Sequence, residues 1–358
     1  MKKIAYFISS HGFGHAARAF AVMHELNKLG KYQFVIFSEV PLWFFQETLK
    51  FKFDYKIYKT DVGLIQNDPF IENLKETIKA LEKIYPVASD ELLGLSKILS
   101  KLKIDLVICD ISPIGILAAN SASIPSLLIE NFTWDWIYKS YQDQYPEFTK
   151  FTGYLQDIFN EANFHLQTEP ICNQRIKYPL INPIFREPTQ KRKQIRNELG
   201  VGQNELLVLI TMGGIPFIIP DSLSFARYKN LKIVFPGANV KNETVFENIL
   251  FLPHHHHYFH PNLVHASDIV IGKIGYSTIA ETFSACLPFL FISRKGFRES
   301  FYLEEFVKKR MIGKEIERNF LDNDDWLSIA MEFYQRSRGK TQIINGANEA
   351  SDFIMKII

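Results

Sequence analysis

Asp268-Ile269-Val270-Ile271-Gly272-Lys273-Ile274-Gly275-Tyr276-Ser277-Thr278-Ile279-Ala280-Glu281 is the stretch on which the fold turns. Its first four residues form a short, mostly apolar run of the kind that fills a strand buried on both faces. Gly272 and Gly275 follow, and Ser277 or Thr278 is placed to cap a helix running on through Glu281. A helix that starts where a strand ends leaves its first N–H groups free, and with the helix dipole these make a seat for phosphate. Glu281 has two readings. Its carboxylate suits the vicinal hydroxyls of a ribose, and it equally suits a capping box closed on the backbone N–H of Thr278.

The same arrangement stands at the N-terminus, where Ile4 to Ile8 leads into Ser9-Ser10-His11-Gly12-Phe13-Gly14-His15-Ala16-Ala17-Arg18. Gly12 and Gly14 allow a tight turn and a close approach to a ligand, and His11 and His15 bring imidazoles beside it. With a helix starting near His15, His15 and Arg18 share a face, so a base and a cation line one edge. Gly12-x-Gly14-x-x-Ala17 with Glu39 at the end of the next strand also satisfies a dinucleotide fingerprint, but that reading leaves the second loop without a role.

Between and beyond the loops, apolar runs alternate with helical patterns: Gln33 to Phe37, Leu106 to Cys109, Ser126 to Ile129 and Asn163 to Gln167, then Leu206 to Ile210, Lys232 to Phe235, Ile249 to Leu252 and Phe289 to Ile292. The alternation pauses over Tyr178 to Pro188, which holds three prolines, and over the basic segment to Arg196, read as a linker. Two doubly wound α/β domains facing each other across a cleft are expected: residues 1–182 on the acceptor side, 183–340 on the donor side, and a C-terminal helix in 341–358 packing back on the first. Helical periodicity from Asp325 to Ile358 breaks at Gly339.

Other groups fall at the same ends of the strands. Thr211-Met212-Gly213-Gly214 presents backbone N–H groups, and Arg294, Lys295 and Arg298 bring cations suited to a departing diphosphate or, alternatively, to a solvated loop. The run His254 to His257 tempts a metal assignment, yet consecutive residues do not all point at one ion, and no cysteine or spaced carboxylate completes a set. Asp322-Asn323-Asp324-Asp325 suits a helix start better than an ion. No metal and no cofactor is expected.

At 358 residues, with 47% hydrophobic and 22% charged residues, the chain has the makings of two cores. A net charge of +2 without a basic face disfavours nucleic acid. The three cysteines, Cys109, Cys172 and Cys286, are far apart in apolar surroundings, and a reducing, cytoplasmic location is expected. Lys2 and Lys3 before Ile4 to Ile8 imitate a signal peptide, but His11, Gly12 and Gly14 interrupt the apolar run too early. No stretch is long enough to span a membrane. The cluster Pro41-Leu42-Trp43-Phe44-Phe45 reads as a buried helix start, with peripheral contact to lipid or to a lipid-linked acceptor as the alternative.

His11-Gly12-Phe13-Gly14-His15-Ala16-x-Arg18, Asn131-Phe132-Thr133-Trp134-Asp135 and Ala266-Ser267-Asp268 through Glu281 resemble GT-B glycosyltransferases. The likeness is to the group that includes the lipid II-forming N-acetylglucosaminyltransferase and the monogalactosyldiacylglycerol synthases. The first two motifs also resemble the glycosyltransferase-like region of plant arabinokinases. The expected activity is a metal-independent, inverting transfer from a nucleotide sugar, with a UDP-sugar as expected donor, to an acceptor hydroxyl; the likeness does not carry the acceptor over, and a glycan or a lipid-linked molecule is the candidate. The resemblance implies that Glu281 holds the ribose, that Gly275, Ser277 and Thr278 bind the diphosphate, and that Gly213 and Gly214 flank it; Lys273, Tyr276, Arg294 and Arg298 are further donor-binding candidates. Leu252 to Tyr258 would lie near the base. His15 becomes the candidate catalytic base and Asp135 the reserve. The chain departs where relatives carry a glutamine and asparagine motif: it reads Arg298-Glu299-Ser300-Phe301-Tyr302-Leu303. The alternatives are a nucleotide-sugar hydrolase or 2-epimerase of the same fold and a non-catalytic nucleotide-sugar-binding module.

Overall fold

The structure, a computed structural model, describes residues 1–68, 70–213, 230–322, 325–336 and 343–358. Each strand expected from the apolar runs is present. In chain order the first domain contributes β1 (Lys2–Ile8), β2 (Tyr32–Ser38), β3 (Phe53–Ile57), the antiparallel pair β4 (Gln66–Asp68) and β5 (Ile71–Glu72), β6 (Leu106–Asp110), β7 (Ser126–Glu130), β8 (Phe164–Thr168) and β9 (Leu180–Ile181). Apart from the β4–β5 pair these make a parallel sheet in the order β3-β2-β1-β6-β7-β8-β9.

The second domain contributes β10 (Leu206–Thr211), β11 (Leu231–Pro236), β12 (Thr244–Phe246), β13 (Ile249–Leu252), β14 (Ile269–Lys273), β15 (Phe289–Ile292) and β16 (Gly313–Glu315). Their order is β12-β13-β11-β10-β14-β15-β16, parallel except for β12 against β13. In each sheet the order reverses beside the first strand, between β1 and β6 and between β10 and β14. Connections leave such a switch point in opposite directions and open a crevice at the carboxyl ends of the strands. Both glycine loops emerge there.

Each sheet is covered on both faces by an apolar layer. The helix Phe13–Lys28 is buried at Ala16, Ala17, Ala19, Phe20, Ala21, Val22, Met23 and Leu26, because it is packed on its own sheet, on the terminal helix Gly346–Ile357 and on the helix Tyr276–Ser284 of the other domain. Asn345 caps the terminal helix, accepting from the amide of Ala347 at 3.0 Å. That helix places Ala347, Ala350 and Ile354 in the core of the first domain, where burying Ile354 contributes about 1.5–3 kcal/mol. Gly346 has no room for a side chain: a Cβ would stand 2.0 Å from the carbonyl oxygen of Asn182.

Two expectations are corrected. The linker is shorter than the proline-rich run, because Leu180–Ile181 pairs with β8 and Arg192–Glu198 is helical, leaving residues 182–191 as the connection. The cap of the Tyr276–Ser284 helix is Gly275, so Ser277 and Thr278 lie within the first turn and no capping box forms. Phe44 and Phe45 are buried in the Leu42–Thr48 helix, and Leu42 is exposed. Gly214, Asn323, Asp324 and Gly339 lie outside the described residues.

Candidate functional site

Parallel pairing of β1 with β6 puts Ile8 opposite Asp110, so the carboxylate at the end of β6 emerges beside the first glycine loop. Gly12, at φ 76°, turns the chain from β1 into the helix that begins at Phe13; this left-handed conformation favours glycine. One turn later His15 and Arg18 project together onto Asp110. His15 Nδ1 lies 2.7 Å from Asp110 Oδ1, and Arg18 grips the same carboxylate with Nε at 2.7 Å and Nη2 at 2.5 Å. Arg18 Nη1 also donates to the side-chain oxygen of Asn131 at 3.0 Å. Burial alone would raise the Asp110 carboxyl, but Arg18 and His15 hold it below the ordinary carboxylate range. An ionised Asp110 fixes the His15 proton on Nδ1, leaving Nε2 as the acceptor. Among the described residues no partner meets Nε2, and His15 lines the cleft.

An aromatic frame holds the imidazoles. His15 meets Phe132 edge-on and lies tilted to Trp134, and Trp134 also meets His11 edge-on. The indole N–H of Trp134 donates to buried Asp61 at 2.8 Å. Burial lifts the Asp61 carboxyl to about 6 despite that bond. His11 is held by the Leu64 amide and Gln66, and its basicity is lowered by burial and by Arg294.

The second glycine loop faces this one. A Cβ on Gly14 would stand 3.7 Å from Ser277 Oγ, so the two helix starts nearly touch. The pairing of Thr211 with Gly272 brings the turn after β10 beside the end of β14, and Gly213, at φ 76°, leaves its missing Cβ 3.5 Å from Lys273 Nζ. Between the lobes lies a cleft of about 480 Å³, lined from one side by His11, Gly12, Gly14, His15 and Arg18 and from the other by Gly213, Lys273, Gly275, Tyr276, Ser277, Thr278 and Arg294. Lys273 is lowered to about 7 by burial and by the neighbouring Arg294 guanidinium.

The lobes are tied at several points. The Tyr276 hydroxyl bonds Thr168 Oγ1 at 2.8 Å and the Glu169 carbonyl, and the Tyr141 hydroxyl donates to the Gly296 carbonyl at 2.8 Å. At the rim, Trp43 stacks on His255 with ring centres 4.5 Å apart, and His254, His256 and His257 line the cleft. No group of three metal-ligating side chains occurs among the described residues. Nor is any described helix long and apolar enough to cross a membrane.

Several expected roles change. Glu281 is 3% exposed and does not line the cleft: Oε1 accepts from Arg186 Nε and Nη2, both at 2.8 Å, and Oε2 faces His260 Nδ1 at 2.7 Å. Its carboxylate binds the interdomain connection to the donor-side helix, and His260 lines the cleft above it. Asp135 is buried away from the cleft lining, and burial raises its carboxyl; Asp110, not Asp135, meets His15. Of the three loop cations, Arg294 lines the cleft, Lys295 is exposed, and Arg298 lies 4.0 Å over the Trp136 ring and donates to its carbonyl. Asp110 and Arg186 did not stand out in the sequence as site residues. A carboxylate directly after the apolar run Leu106 to Cys109 was the available signal for Asp110.

Comparison with known proteins agrees with this fold. A family model described as glycosyl transferase family 1 matches residues 2–331. An L-arabinokinase of Arabidopsis thaliana is 26% identical over 342 residues, covering 90% of this chain and 31% of that protein, so the chain spans about a third of the relative's length. Solved structures with the same fold include MurG from Acinetobacter baumannii, at 15% identity and TM-score 0.56 over 99% of this chain and 100% of that one. The UDP complex of UGT89C1 from Arabidopsis thaliana shares 11% identity with TM-score 0.61 over 100% and 99%. A protein from Listeria monocytogenes described as a putative UDP-N-acetylglucosamine 2-epimerase shares 14% with TM-score 0.57 over 99% and 95%.

Proposed function

The chain belongs to glycosyl transferase family 1, and from that membership we propose a metal-independent, inverting transfer from a UDP-sugar to an acceptor hydroxyl, with His15 as the base. The fold is GT-B, and in this reading the chain is a glycosyltransferase. The observation that carries it is the His15–Asp110 pair, whose free imidazole edge opens into the cleft opposite the start of the Tyr276–Ser284 helix.

In this reading the diphosphate rests on the N–H groups at Gly275 to Thr278, with Lys273 beside it, and the nucleoside extends toward His254 to His260. His260, positioned by Glu281, faces the ribose. The acceptor lies against Phe13, Phe132 and His11. His15 Nε2 takes the hydroxyl proton, the acceptor oxygen attacks the anomeric carbon opposite the diphosphate, and the bond to the leaving oxygen breaks with inversion. Asp110 keeps the imidazole in the accepting tautomer and stabilises the imidazolium that forms. Lys273 and the helix dipole meet the charge that develops on the leaving group, the task a metal ion performs elsewhere.

The test is release of UDP from a panel of UDP-sugars with and without acceptors. Acceptor-dependent release is expected, and His15→Ala should lower kcat by about 10²–10⁴ with nucleotide affinity retained. Full activity in that variant refutes the base assignment. Turnover independent of acceptor would favour hydrolysis or epimerisation, and tight binding without turnover a binding module of the kind the arabinokinase likeness suggests.

A further inference from the structure

Strand ends of the second sheet lie in the order β13, β11, β10, β14, β15, which sets the cleft groups in a row. The histidine loop follows β13, Gly213 follows β10, Lys273 and the phosphate seat stand at β14, and Arg294 follows β15. A nucleotide sugar laid along this row, as the donor reading above requires, puts its sugar beside Arg294 and Glu299, both of which line the cleft.

Arg294 is 7% exposed and lies over the Phe297 ring, its guanidinium carbon 3.2 Å from the ring centre. Nη1 reaches Glu299 Oε1 at 3.4 Å, a weak contact. Nε and Nη2 have no partner among the described residues. Those two N–H groups form one edge of the guanidinium, the edge that takes a carboxylate side-on through two parallel bonds. Leaving them buried and unpaired is costly, and a carboxylate meets both with charge-assisted bonds roughly twice as strong as those a neutral hexose hydroxyl makes. Glu299 Oε2 is also unpartnered and offers an acceptor for a hydroxyl next to that carboxylate.

We infer that the sugar end of the cleft selects a donor whose sugar carries a carboxylate, a nucleotide-linked hexuronic acid, with the Nε/Nη2 edge of Arg294 clamping it and Glu299 accepting from a neighbouring hydroxyl. The inference rests on the donor reading above. A phosphoryl group fits the same edge, so the experiment must tell sugar carboxylate from diphosphate.

Titration calorimetry of the full chain with UDP, UDP-glucose and UDP-glucuronic acid does so. UDP-glucuronic acid is expected to bind about tenfold more tightly than UDP-glucose. Arg294→Gln should abolish that preference while leaving UDP affinity within about twofold, and Arg294→Lys, with the charge but not the fork, should restore only part of it. The unliganded Arg294→Gln protein should melt close to the parent, because the lost donors had no partner. Equal binding of both sugar nucleotides by the parent overturns the inference. So does an Arg294→Gln variant that loses UDP affinity as much as UDP-glucuronic acid affinity, which assigns the edge to the diphosphate. Absence of binding by all three overturns the donor reading, and this inference with it.

Discussion

The two glycine loops are alike in sequence and opposite in their use of charge. Around the first, charge is matched at one carboxylate: Arg18 closes on Asp110, His15 bonds it through Nδ1, and Asn131 completes the guanidinium. Around the second, Lys273 has no acid bonded to it among the described residues and Arg294 has two unmatched donors. A matched cluster fixes geometry, as a positioned base requires; unmatched cations near a helix N-terminus cost folding energy and return it when an anion binds. One loop holds a side chain in a fixed place and the other presents unmatched cations to an anion.

Removing a partner from the matched cluster should produce the largest effect. Asp110→Asn leaves Arg18 buried beside a neutral amide and should lower the unfolding free energy by about 3–5 kcal/mol, read by denaturant melts. The pair Asp110→Leu with Arg18→Met should recover most of that loss while activity stays absent. A stable single variant would remove the contrast between the loops.

Removing a cation from the second loop should act on the ligand instead. Lys273→Met should leave the empty protein as stable or more so and weaken UDP binding about tenfold, a change of about 1.4 kcal/mol. The pH dependence has a definite sign. Folded Lys273 loses its proton near 7, whereas in the unfolded chain it keeps it to about 10, so between those values the unfolded chain holds the extra proton. The residue's contribution to stability therefore rises with pH across that window, and the methionine variant should lack the rise. Diphosphate binding favours the charged amine, so UDP affinity should fall as pH climbs above 7, with proton uptake measurable by calorimetry in buffers of different ionisation heat. A Lys273→Met variant with unchanged UDP affinity would show that the second loop serves something other than phosphate.

The rim offers the smallest change and a control. Glu47 and His255 bridge the lobes with side chains 41% and 58% exposed. Glu47→Ala should cost no more than about 1 kcal/mol and shift kcat little. A larger loss would mean that lobe closure, rather than the charges of either loop, dominates the behaviour of the cleft.

Much of this was legible in the chain. Apolar runs four or five residues long marked the strands that carry the site, since a strand buried on both faces admits few polar residues. The short edge strands Phe53–Ile57, Thr244–Phe246 and Gly313–Glu315 did not show, because partial exposure dilutes their apolar pattern. Glu281 illustrates a different limit: its place one turn into a helix was clear, but its partners Arg186 and His260 are 95 and 21 residues away.

By itself the sequence determined where strands end and helices begin, hence where backbone N–H groups lie free and where an imidazole follows a glycine turn; such features are local, set by periodicity and by glycine's freedom at positive φ. Tertiary structure alone decided that Asp110 rather than Asp135 meets His15, that Glu281 is engaged by Arg186, and that Arg294 lines the cleft while Arg298 rests on Trp136. Charge pairing depends on distance through space, and that distance is set by strand order and register, which no neighbouring residue along the chain encodes.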